Sequence, residues 1–73
     1  MKNKVRELRT NAGLTQQQLA DLVFVSARTI ISLEKEKYNP SIMLAYKIAG
    51  VFNTTIEDLY CLEENLKYEK KDI

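Results

Sequence analysis

A chain of 73 residues with a formal net charge of +1, one cysteine and no histidine holds one small domain, of the size at which a single core supplies only about 3–5 kcal/mol of net stability. One thiol without histidine excludes an intrachain disulfide and a zinc-type ligand set, so no metal or other cofactor is expected and a partner subunit is the expected source of extra stability. No apolar run approaches the roughly 18 residues that span a bilayer, and the opening MKNKVREL lacks the apolar stretch of a signal peptide; the expectation is a cytoplasmic protein with no membrane contact.

The near-zero net charge conceals an asymmetry. Residues 1–40 carry seven positive and four negative side chains, whereas residues 41–73 carry four and six. A basic front and an acidic back suit a protein that meets a polyanion with one face, although ordinary solvated charge gives the same count.

In chain order, KNKVRELRTNAG places Val5, Leu8 and Ala12 on one helical stripe, and Gly13 supplies a left-handed stop. Thr15 followed by Gln18 forms a capping box, which starts a second helix at Gln16 and ends it near Val23. Ser26 caps a third helix, ARTIISLEK, with Ile30 and Leu33, and more weakly Ala27, pointing to one side. Tyr38-Asn39-Pro40 is a loop, because proline disfavours helical backbone in the residue before it. Ser41 caps a fourth helix whose inner face is expected to carry Ile42, Ala45, Ile48, Ala49 and Phe52. Thr55 and Asp58 cap a short fifth one, IEDLY.

Residues 1–62 thus read as an all-α domain of five helices. Residues 63–73 are polar and without a clear period, and are expected to form a tail: a strand, a helical extension or a frayed end, with the last four or five residues disordered.

Helices two and three are joined by so few residues that they must cross steeply. A helix-turn-helix unit starting at Gln16 needs a small residue where the helices cross, and Ala20 is there. It needs apolar residues at the positions held by Leu19, Val23, Val25, Ile30 and Leu33, so every such demand is met. The position of Phe24 commonly needs a positive φ, which costs a residue with a Cβ roughly 1–2 kcal/mol. Three outcomes are open for Phe24: a different turn, a ring packed on its neighbours, or a ring exposed at the edge of the reading face.

The blocks LTQQQLA, VSARTI, LEKEKYNPS and AYKIA resemble the lambda-repressor-like, Xre-type helix-turn-helix family over nearly all of residues 3–60. The likeness is to short bacterial and phage regulators, and it implies a five-helix DNA-binding domain that reads double-stranded DNA. In such a domain helix three enters the major groove, and Ala27, Arg28, Ile31 and Ser32 face the bases with Thr29 at the margin. Arg28 is the one long donor among them and can reach guanine O6 and N7; a phosphate contact or a surface ion pair is the plainer alternative. Ala27 stands where relatives often have glutamine or arginine, and with Ile31 can touch only thymine methyls.

Gln16, at the start of helix two, suits a phosphate oxygen, and Lys35, Lys37 and Tyr38 resemble the family's second phosphate-contacting segment. Glu36, where relatives often have glycine, weakens that field. The resemblance further implies an ion pair between Arg9 and Glu34 that orients the reading helix.

No nucleophile with a base, glycine-rich phosphate loop or carboxylate pair suggests catalysis. One short helix reads few base pairs, so a homodimer is expected. The apolar residues left after the core is filled lie late in the chain and include Met43 and Tyr46. Val51, Tyr60, Cys61, Leu62, Leu66 and Tyr68 are the interface candidates; a core that wraps its own tail is the alternative. No small-molecule ligand is suggested. Repression is the expected sign, since a bound domain can exclude polymerase without contacting it. An antitoxin or accessory subunit bound mainly to another protein is the alternative function.

Overall fold

The computed structural model describes residues 2–37 and 39–70, with the side chains of residues 68–70 left out. The helices are α1 (Val5–Asn11), α2 (Gln16–Leu22), α3 (Ala27–Glu34), α4 (Ile42–Val51), α5 (Ile56–Leu59) and α6 (Leu62–Lys70). Among the described residues there is no strand.

Hydroxyl caps set the starts of α2, α3, α4 and α5. Thr15 Oγ1 accepts from Gln18 N–H at 3.0 Å while Gln18 Oε1 accepts from Thr15 N–H at 2.8 Å, completing the capping box. Ser26, Ser41 and Thr55 accept in the same way from Thr29, Leu44 and Asp58 at 3.4, 3.1 and 3.2 Å. Each such cap satisfies an amide with no partner inside its helix and contributes about 1 kcal/mol.

The stops follow one pattern as well. Gly13, Phe24, Glu36 and Asn53, each two residues beyond its helix, have φ of 73°, 61°, 59° and 53°. The following amides, of Leu14, Val25, Lys37 and Thr54, reach back to the carbonyls of Arg9, Ala20, Ser32 and Ala49. These are Schellman closures.

One core joins α1 to α5: Val5, Leu19, Ala20, Val23, Ile30, Leu33, Leu44, Ala45, Ile48, Ala49, Leu59 and Tyr60 are buried, with Leu8, Val25, Phe52, Ile56 and Leu62 packed against them. Ala20 is fully enclosed, so α3 crosses α2 as closely as a methyl side chain permits.

The tail takes the helical extension among its three expected forms: residues 62–70 form a sixth helix, because Leu62 packs on the core, Glu63 and Glu64 favour the positive end of a helix, and Asn65 N–H bonds to Cys61 O at 2.9 Å. Three expectations need correction. Ile42 is 80% exposed, whereas Leu44 turns inward, since the buried residues 44, 45, 48 and 49 define the stripe. Ala12 ends α1 and is exposed, outside the stripe. Tyr60 is only 2% exposed, so its ring belongs to the core and is not an interface surface. Of the last four or five residues, expected to be disordered, those up to Lys70 continue α6, and residues 71–73 lie outside the described residues.

Candidate nucleic-acid interface

Two fully buried side chains, Ile30 and Leu33, hold α3 against the core. The helical period then turns Arg28 outward, with Ala27, Thr29, Ile31 and Ser32 partly covered. Ser26, Arg28, Thr29, Ser32 and Lys37 line an open hollow of about 430 Å³. A long cation at the start of the helix and a second one just past its end thus border the same concave surface. Lys35 is also exposed. Tyr38 lies outside the described residues.

Behind this face, Arg9 Nε donates to Glu34 Oε2 at 2.6 Å and Arg9 Nη2 to Glu34 Oε1 at 3.2 Å. The side chains are only 14% and 4% exposed. Arg9 Nη1 donates to Leu14 O at 2.8 Å, which ties the end of α3 to the turn before α2. The hydrogen bond with Glu34, opposed by burial, raises the Arg9 pKa above its ordinary value, so the guanidinium stays charged throughout the working pH range.

Gln16 joins this cluster. Its Nε2 donates to Glu34 Oε1 at 3.1 Å, so the side chain braces the carboxylate while the backbone amide stays at the start of α2. The sequence offers no signal for this bond, which depends on how α2 and α3 cross. A second contact that sequence reasoning misses is Asn3 Nδ2 to Leu33 O, at 2.9 Å, on the last turn of α3.

Phe24 takes the left-handed turn, and its ring is 84% exposed with Lys47 Nζ 5.6 Å from the centroid. The turn is therefore the expected one, and the ring is not packed away. Relief of about 1–2 kcal/mol of backbone strain outweighs an exposed cation–π contact of about 0.5–1 kcal/mol. Phe24→Gly is accordingly expected to raise stability by about 0.5–1 kcal/mol in urea melts, and a fall would mean that the ring contributes more than its exposure implies.

Of the interface candidates, Val51 and Leu66 are exposed, Cys61 and Leu62 are partly covered, and the side chain of Tyr68 lies outside the described residues. Met43 and Tyr46, 62% and 66% exposed, add apolar surface on α4. Among the described residues, no helix is long and apolar enough to cross a membrane.

The helix-turn-helix family model matches residues 5–59. An uncharacterized HTH-type transcriptional regulator of Archaeoglobus fulgidus is 48% identical over 71 residues, which cover 97% of this chain and 100% of that one. The competence pilus inhibition repressor of Acinetobacter baylyi is 42% identical over 67 residues, covering 89% of this chain and 59% of its own. Such relatives extend beyond bacteria and phage to archaea. Among solved structures, the clp gene regulator ClgR of Corynebacterium glutamicum shares the fold with a TM-score of 0.71 at 21% identity, over 93% of this chain and 76% of its own. With the capped α2, the crossing at Ala20 and an outward-facing α3 in place, the chain belongs to the lambda-repressor-like, Xre-type helix-turn-helix family.

Proposed function

We propose that the protein is a sequence-specific, double-stranded-DNA-binding transcriptional regulator that represses by occupying an inverted-repeat operator as a homodimer. The observation that carries this reading is the outward face of α3, where Arg28 and Lys37 border one hollow on a helix anchored by Ile30, Leu33 and the Glu34 cluster. Arg28 reads a base, while Ala27, Thr29, Ile31 and Ser32 shape the surface around it. Lys35, Lys37 and Tyr38 meet phosphates, as does the backbone amide of Gln16 at the start of α2. The exposed apolar residues of α4 and α6, Val51 and Leu66 among them, support a homodimer that places two reading helices one DNA turn apart. Family membership and the absence of any catalytic constellation in the sequence support a non-enzymatic role.

Selection from a random duplex library with the purified protein tests this reading. The expected product is an inverted repeat with half-sites about one helical turn apart, roughly 34–36 Å. The Arg28→Ala variant should lose preference at one or two positions per half-site, with a penalty of about 1–3 kcal/mol there. A uniform loss over all sequences would move Arg28 to the phosphates, and no consensus at all would redirect the search to a protein partner. A promoter fusion carrying the selected site should fall in output when the protein is expressed; a rise would make it an activator.

A further inference from the structure

The residues preceding α1 tie α3, α5 and α6 together by hydrogen bonds that add to the shared core. Asn65, on α6, grips Lys2 from both sides: its Oδ1 accepts from Lys2 N–H at 3.3 Å and its Nδ2 donates to Lys2 O at 3.1 Å. The same Nδ2 donates to Tyr60 O at 2.6 Å, fixing the side chain against the end of α5. Lys4 N–H donates to Leu59 O at 2.8 Å. Between these two anchors, Asn3 Nδ2 donates to Leu33 O at 2.9 Å while Asn3 Oδ1 accepts from Val5 N–H at 3.1 Å.

Leu33 O also accepts from Glu36 N–H at 3.0 Å. With both lone pairs engaged, the last turn of the reading helix has a fixed position relative to residues 2–4. Residues 2–4 are in turn pinned from α6. The Lys2–Glu64 ion pair, 2.9 Å long with side chains 58% and 46% exposed, adds little to this.

We propose that Asn65 is a positioning residue for DNA reading: through Lys2 and Asn3 it sets where the C-terminal turn of α3 sits. This rests on the DNA-reading function proposed above. A reading helix delivers base contacts only when its side chains are held within about 0.5 Å of the productive geometry, whereas phosphate contacts by flexible lysines tolerate more. Loosening the strap therefore acts on discrimination more than on general affinity.

The test uses the full chain and the variants Asn65→Ala, Asn3→Ala and the double substitution. Two quantities are read: amide hydrogen exchange at Glu36 and Lys37 in the free protein, and affinity for the selected operator and an unrelated duplex at one salt concentration. Each single variant should exchange faster at those two amides and lose roughly three- to tenfold in operator affinity, the worth of one hydrogen bond, with little change on the unrelated duplex. The double variant should lose no more than the worse single one, as befits two links of one chain.

Equal losses on both duplexes, additive losses, or unchanged exchange at Glu36 and Lys37 in Asn65→Ala would each overturn the proposal. A wild-type protein that selects no operator would instead sink the DNA-reading function, and the exchange measurement would then decide the coupling by itself. Where Asn65→Ala is too unstable to study, Asn65→Asp keeps the acceptor for Lys2 N–H, removes both donated bonds and gives the same readouts.

Discussion

Glu34→Ala is expected to cost about 3–5 kcal/mol, because it leaves a largely buried guanidinium and the Gln16 side-chain amide without their acceptor. A domain of this length has roughly 4–11 kcal/mol in total, so the loss removes much of its stability. A urea melt decides the matter: an unchanged midpoint would mean that water replaces the carboxylate, contrary to its 4% exposure. Replacing both Arg9 and Glu34 by methionine should recover most of the loss, since two apolar side chains leave no stranded charge. That double variant should nevertheless bind DNA less well, because Leu14 O then loses its tie to α3. Stability and orientation would thereby be separated in one pair of residues.

The second large effect contrasts two neighbours. Ile30 is fully buried on α3 and Ile31 is partly covered on the other side. Ile30→Ala should cost about 2–5 kcal/mol by removing buried carbon and leaving a cavity. Ile31→Ala should stay within about 1 kcal/mol and, under the proposed reading of bases by α3, show its effect as a changed base preference. Similar losses in urea from the two substitutions would mean that α3 is rotated about its axis relative to the structure described.

The beginnings of the helices are more legible in the sequence than their ends. Thr15, Ser26, Ser41 and Thr55 announce themselves, because a hydroxyl cap works through a local side chain that only a few residue types possess. The ends use backbone closure, which glycine favours but does not require, and among the positive-φ residues described only Gly13 and, more weakly, Asn53 advertise a stop. Phe24, Glu36 and Cys61 take the same backbone region without that residue-type signal. The sixth helix is hidden for another reason: Leu62 and Leu66 are too few to mark a stripe in a charged segment, and its attachment through Asn65 and Lys2 joins residues 63 apart in the chain.

The same holds for the interface. The outward set around Arg28 follows from Ile30 and Leu33 pointing inward, which periodicity alone supplies. The ion pair of Arg9 and Glu34 follows from family resemblance and is present. Gln16 and Asn3, which fasten α3 from behind, are ordinary polar residues whose roles exist only once distant segments meet.

Glu36 combines two properties in one exposed side chain: a left-handed backbone and a negative charge beside Lys35 and Lys37. Glutamate and glycine codons differ by a single base. One point mutation in the gene would therefore relax the turn and remove the charge that opposes phosphate, raising stability and indiscriminate DNA affinity together. A lineage under selection for tighter DNA binding has that step within immediate reach, and its penalty would fall on the freedom of the protein to leave whatever DNA it meets.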